Sequence, residues 1–216
     1  MTPLSSLFST FPYHFYTLPT MNPDAPQNPS LKQPQKDNFI WDLVKFTVGA
    51  LLIVIVIRTF VAQPFIVSGL SMYPTFDDKN YLIIDELSYD FIAPARGDVL
   101  VFRYPNDPSI FYIKRIIGLP GEKLVSNGGI ITVYQNASST AGKTLNEPYI
   151  ESDHRDYDSW SIVLGPSQYW MMGDNRNESS DSRVWGPLNR SFFIGRPILR
   201  MYPFGSIGIL PGKKDQ

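Results

Sequence analysis

The chain has 216 residues, with 19 basic and 20 acidic side chains and a formal net charge of -1. That length holds one domain of about 100–200 residues plus an appendage, and excludes a large multidomain enzyme. The balanced charge carries no basic footprint of a nucleic-acid binder. The absence of cysteine excludes a disulfide scaffold, a zinc ribbon, a thiol nucleophile and an iron–sulfur site.

Residues 1–38 carry seven prolines, Pro3, Pro12, Pro19, Pro23, Pro26, Pro29 and Pro34, a spacing that leaves no room for a useful helix. The zone reads as a disordered tail. Its first 20 residues contain no Lys, Arg, Asp or Glu, so they lack the positive region of a signal peptide. Met21 opens a more ordinary polar leader and competes with Met1 as the start. Residues 39–62 are apolar, with an uncharged core from Phe46 to Ile57. That core alone is short for a membrane span. Lys45 and Arg58 at its two ends can snorkel to opposite interfaces, and Trp41 can anchor one of them. Leu43 to Ala62 then gives about 20 residues, enough for a transmembrane helix. Lys32, Lys36 and Lys45 against Arg58 favour a cytoplasmic N-terminus by a small margin.

Residues 63–210 read as the folded domain. Short alternating or β-branched runs predict strands at Tyr81–Asp85, Asp98–Tyr104, Phe111–Ile117, Ile130–Tyr134, Ser161–Leu164, Tyr169–Met172 and Gly195–Tyr202. Turns at Pro94–Gly97, Pro105–Pro108 and Pro120–Gly121 separate them. The class expected is all-β, with antiparallel sheets forming a partly open barrel-like domain. Asn136–Asp158 reads as a polar loop and residues 211–216 as a short tail. Trp160, Trp170, Met171 and Met172 read as core, with lipid contact as the alternative.

Two segments carry candidate chemistry. In Val67–Thr75 a serine, Ser71, lies between Gly69 and Pro74. Taken alone, it reads as a turn serine bonding its own backbone. In the strand Phe111–Ile117, Tyr112, Lys114 and Ile116 share one face and Arg115 points to the other. The two cations cannot both face the core, and parity does not choose between them. An inward Lys114 would lose hydration, which lowers its pKa and lets the neutral amine take a proton from a serine hydroxyl.

A third segment, Gly173–Gly186, is so polar that whatever it buries needs partners. Asp181 with Arg183, and Asp174 with Arg115, are the available pairs; the alternative is a solvated loop. The acidic spacing does not fit an EF-hand. Only two histidines exist, His14 and His154, too few for a multi-imidazole metal site. His14 precedes the apolar segment, which leaves a Ser-His-Asp triad only His154. Pro74 three residues after Ser71 breaks an S-x-x-K pattern. If Ser71 is a nucleophile, Lys114 is its best base.

Taken together, the apolar segment, SGLSMYPT, GDVLVF, YIKRIIGLPGE and GDNRNESSDSRVWG closely resemble the bacterial type I signal peptidases. These are membrane-anchored serine proteases with a Ser–Lys dyad, and the motifs fall in the family's order over residues 40–205. The resemblance makes Ser71 the nucleophile, Lys114 the general base and Ser179 the hydroxyl that orients the lysine. It makes Asp181–Arg183 and Asp174–Arg115 supporting polar pairs. Shallow pockets for small side chains at the first and third positions before the scissile bond would be lined by Phe65, Val67, Met72, Tyr112 and Ile113. No metal or organic cofactor is implied. The implied partners are secretory preproteins, the lipid bilayer and the translocation machinery nearby, not nucleic acid. The implied place is the extracytoplasmic side of a plasma or thylakoid membrane. In one respect the sequence departs from some members of the family: they carry an oxyanion-binding serine two residues before the nucleophile, where this chain has Gly69. Two other readings compete, a self-cleaving Ser–Lys regulator of related fold and a non-catalytic membrane-anchored β-domain that binds a partner.

Overall fold

A computed structural model describes residues 39–60 and 62–212. The expected tail 1–38, with Met21 and His14, lies outside the described residues, as do residues 213–216 and the side chains of residues 56–62. The first element, α1 (Phe39–Phe60), is a 22-residue helix. Its apolar side chains up to Ile55 are exposed. Among the described residues no helix is long and apolar enough to cross a membrane.

The elements that follow are β1 (Ala62–Ile66), β2 (Tyr81–Asp85), α2 (Ser88–Phe91), β3 (Val99–Tyr104), β4 (Asp107–Gly118), β5 (Lys123–Asn127), β6 (Ile130–Tyr134), β7 (Gly142–Thr144), β8 (Trp160–Val163), β9 (Gln168–Met172), α3 (Ser182–Trp185), β10 (Leu188–Asn189), β11 (Phe193–Tyr202) and β12 (Gly208–Ile209). The expectation of an antiparallel β-domain holds. One sheet runs β1-β2-β11-β3-β4-β9-β10, with β12 on β11, and a smaller one runs β7-β6-β5-β8. The ends of the larger sheet, β1 and β10, do not pair with each other, so it does not close into a barrel. Within the expected Pro105–Pro108 separator, only Pro105 and Asn106 form the turn, and β4 has begun by Asp107.

Burial on both faces of the central strands decides where the site can form. In β3, Val99 and Val101 pack with Val67, Met72 and Phe76 on one side. Leu100 and Phe102 pack with Ile116, Met171 and Leu188 on the other. A third cluster, including Ile117, Leu124, Ile131, Leu164, Trp170 and Met172, joins the small sheet to β4 and β9. Trp170, Met171 and Met172 are therefore core. Tyr149 and Ile150, in the expected polar loop, also reach this cluster, so apolar burial pins that loop down.

The strand-parity reading, that Lys114 and Arg115 cannot both face the core, fails here. Lys114 and Arg115 leave β4 on opposite sides, yet Lys114 is 4% exposed and Arg115 0% exposed. Both are buried because a central strand covered on both faces has no solvent side.

Candidate active site

Ser71 lies in the loop after β1, and Lys114 in the middle of β4. The Lys114 Nζ donates to Ser71 Oγ at 2.7 Å and to its neighbour's carbonyl, Ile113 O, at 3.0 Å. Burial pushes the Lys114 ammonium down to about 8, against the opposing pull of Asp181 and Asp174. That pull is limited because both carboxylates are already engaged by arginines.

Arg115 grips Asp174 through two parallel bonds, Nε to Oδ1 at 2.8 Å and Nη2 to Oδ2 at 2.5 Å. Its Nη1 donates to Gly97 O at 2.8 Å and Gly212 O at 2.6 Å, and its Nη2 reaches Thr75 Oγ1 at 3.3 Å. Its guanidinium carbon lies 4.0 Å from the centroid of the Tyr149 ring. All five N–H groups are thus met, which is what a fully buried guanidinium requires. Thr75 Oγ1 in turn donates to Asp174 Oδ2 at 2.5 Å. Arg183 holds Asp181 through Nε at 2.9 Å and Nη2 at 2.8 Å, and extends to Asp156 Oδ2 at 2.6 Å.

The link between these pairs and the dyad is Gly173, a residue that sequence reasoning passed over. Its N–H donates to Asp181 Oδ2 at 3.2 Å, and its carbonyl accepts from Arg176 Nε at 3.0 Å. The next residue but one, Asn175, donates its N–H to Ser71 O at 3.1 Å. A Cβ at Gly173 would overlap Ser179 Oγ and the Ser71 carbonyl. Glycine is required here for close backbone approach, not for a left-handed turn. A second missed feature is the buried pair Arg176–Glu147, which backs the Gly173 carbonyl from the small-sheet side. A glycine opening a dense polar run was the only local hint of either.

Ser179 lies beside Gly173, but its Oγ is buried without a hydrogen-bond partner among the described residues. Lys114 Nζ bonds Ser71 and Ile113 instead. A cleft of about 300 Å3 opens over the dyad. Phe65, Val67, Tyr112 and Ile113 line it with Ser71 and Lys114, and Glu178 and Ser180 stand at its polar side. Met72 does not line it: the residue is 0% exposed and packs in the core. Gly69 sits at φ +89° and donates its N–H to Asp78 Oδ1 at 3.0 Å. A serine at this position would be strained by that backbone, so the chain offers no side-chain donor there. The His154 ring lies tilted, 5.3 Å from the Tyr73 ring, contacts Asp153 and Glu151, and is not among the hydrogen-bond partners of Ser71 or Lys114. A larger cavity, about 730 Å3, lies between the Ala95–Asp98 turn and the edge strand β7 and includes neither dyad residue.

The arrangement is a hydroxyl in contact with an amine that is half deprotonated near pH 8. A lysine in water at that pH is neutral in roughly one molecule in 250. The pair can therefore form an alkoxide-like nucleophile without histidine or metal.

Comparison with known proteins gives a consistent result. The family model for signal peptidase, peptidase S26, matches residues 40–202. A signal peptidase I of Leptolyngbya laminosa is 36% identical over 194 residues, covering 86% of this chain and 91% of its own. The probable signal peptidase I-2 of a Synechocystis species is 38% identical over 186 residues, covering 83% of this chain and 81% of its own. A signal peptidase I of Pseudomonas aeruginosa is 32% identical over 219 residues, covering 83% of this chain and 74% of its own.

Removing one member of the buried Arg115–Asp174 pair strands the other charge at a cost of about 3–5 kcal/mol. Asp174→Ala is therefore expected to lower the denaturation midpoint sharply. A denaturant titration with Asp107→Ala, an exposed carboxylate, as the control checks this; equal midpoints would refute it.

Proposed function

The chain belongs to the signal peptidase family S26, and we propose that it is a membrane-anchored serine endopeptidase that removes N-terminal signal peptides from exported preproteins. The observation that carries the reading is the 2.7 Å contact between Ser71 Oγ and a desolvated Lys114. Neutral Lys114 accepts the Ser71 proton as Oγ attacks the scissile carbonyl. The resulting ammonium returns the proton to the departing amine, leaving an acyl-enzyme on Ser71. Water then enters and attacks the acyl carbon, giving a proton to the same lysine, which passes it to Ser71 Oγ as the acyl–Oγ bond breaks and the new carboxyl end is released. The cleft's apolar lining, Phe65, Val67, Tyr112 and Ile113, fits small side chains before the bond. Ser179 is the orienting hydroxyl for Lys114 once substrate excludes water; its buried, unpartnered Oγ supports that role. The oxyanion rests on the Ser71 N–H, with no side-chain donor from Gly69. A donor of that kind is worth about 3–4 kcal/mol, so a bound water or substrate group completes the hole.

We further infer that the sequence segment 39–62 forms the anchor, although α1 on its own is not long and apolar enough to span. Its apolar side chains from Phe46 to Ile55 include no charged residue and are exposed, and a helix apolar all round needs a core or a bilayer around it. The 22 residues of α1 rise about 33 Å. The N-terminus is then cytoplasmic and the β-domain lies on the far side of a plasma or thylakoid membrane. There it meets preproteins emerging from the translocation machinery. Tethering raises the effective concentration of substrates that are themselves in the bilayer.

Purified protein should cut a labelled preprotein once, after a small-x-small motif. Ser71→Ala and Lys114→Ala should each lower cleavage by about 10^4-fold or more while keeping the wild-type melting profile. A folded mutant with full activity would refute the dyad, and absence of any cut by the wild type would favour a binding or self-cleaving role.

The pH dependence has a definite sign. The neutral amine is the active form, so kcat/KM should rise about tenfold per pH unit up to about 8 and level off above it. A flat profile between pH 6 and 8 would exclude Lys114 as the base.

The anchor is tested by extracting membranes with alkaline carbonate. The chain should remain in the pellet, and release into the supernatant would rule out a spanning helix.

A further inference from the structure

The segment after β12, Pro211–Gly212, lies in what the sequence marks as a short tail. Gly212 is half-buried against Phe76 and Val99. Its carbonyl accepts from Arg115 Nη1 at 2.6 Å. Its φ is +86°, and a Cβ added there would lie 2.9 Å from both Phe76 Cε2 and Val99 Cγ2. The position therefore excludes side chains twice over, by backbone conformation and by space. Just before it, Leu210 donates its N–H to Ile198 O, which fixes the segment against β11.

We propose that Pro211–Gly212 is a positioning element of the active site, a plug whose Gly212 carbonyl completes the hydrogen bonding of Arg115 and keeps water away from the Arg115–Asp174 pair. Among the described residues that N–H is met by Gly212 alone, and the remaining four go to Asp174, Gly97 and Thr75. Without the plug a fully buried guanidinium is left one acceptor short, and the simplest remedy is entry of water. Water there loosens Arg115 from Asp174. The carboxylate then acts on Lys114 with less of its charge cancelled, and the lysine loses part of its desolvation. Both changes favour the ammonium. The other charged or titratable groups around the lysine are Asp181, held by Arg183, Tyr112, whose ring centroid lies 5.1 Å from Lys114 Nζ, Glu178 at the cleft, and Glu147, Arg176 and Tyr149 on the far side of Arg115. Gly212 meets the site through its carbonyl on Arg115. The plug thus acts on the reaction through Arg115 and Asp174, without touching substrate.

This inference rests on the dyad reading, and the test separates the two. The acid limb of kcat/KM is compared in the wild type, in Gly212→Ala, in a chain stopped after Leu210, and in a control stopped after Lys214. Amine-selective labelling of Lys114 across the same pH range, read by mass spectrometry, gives a second measure without turnover. The expected result is a limb moved up by about one pH unit in the first two variants, with kcat/KM about tenfold lower below it and restored at high pH. The control should match the wild type. If the shortened chain fails to fold, Gly212→Ala decides alone. An unmoved limb in folded variants, or a loss equal at every pH, would overturn the plug and leave the dyad intact. A wild type with no limb near pH 8 would instead overturn the dyad reading, and this inference with it.

Discussion

Everything near the dyad is arranged around one buried cation. The guanidinium of Arg115 is 0% exposed and meets five acceptors from four separate segments: Asp174 after β9, Thr75 in the Ser71 loop, Gly97 before β3, and Gly212 after β12. The Tyr149 ring from the small-sheet loop packs against its face. A charge taken this far from water is tolerated only if every donor is matched. That requirement fixes the mutual positions of segments that share no regular pairing. The Ser71 loop and the 173–183 loop are registered against each other by the same demand.

The lysine one residue earlier obeys the opposite rule. Lys114 is nearly as buried, but the two carboxylates closest in influence, Asp174 and Asp181, are each clasped by an arginine. Neither is free to form an ion pair with the ammonium. Burial therefore outweighs attraction, and the amine becomes a base at a pH where a free lysine is an acid. Two adjacent cations on one strand thus have opposite fates, decided by which one is given a carboxylate. Arg115 can take that role because its guanidinium stays protonated under all ordinary conditions, whereas a lysine yields its proton when desolvated.

Local patterning was enough for much of the fold. Tyr81–Asp85 and Ile130–Tyr134 became β2 and β6 at the expected residues because alternation and flanking turns mark both ends. The strands β1, β5, β7, β10 and β12 gave no such signal: all are five residues or fewer, β1 is interrupted by proline, and β7 buries nothing. Their pairing comes from neighbours already in place. The Arg115–Asp174 and Asp181–Arg183 contacts could be read from the density of the polar run, since buried charges must pair. The roles of Gly173, Glu147–Arg176 and Gly212 could not be read in the same way. Each depends on segments distant in sequence approaching to within a van der Waals radius, and a single glycine or glutamate carries no local mark of that. The burial of both Lys114 and Arg115 was hidden for a related reason: alternation assigns a residue to a face, and cannot tell that both faces are covered.

The position of β11 has a consequence for the order of assembly. Strands β2 and β3 follow each other in the chain, yet they are not neighbours in the sheet; β11 lies between them. Until the segment Phe193–Tyr202 is synthesised and inserted, β1 and β2 have no sheet to join, and the Ser71 loop carried on β1 has no fixed place beside Lys114. Contacts of such long sequence separation form late, because loop-closure entropy must be spent before they repay it. A nascent chain therefore carries its serine and its lysine long before it can bring them together, and proteolytic competence arrives with the closing step of folding.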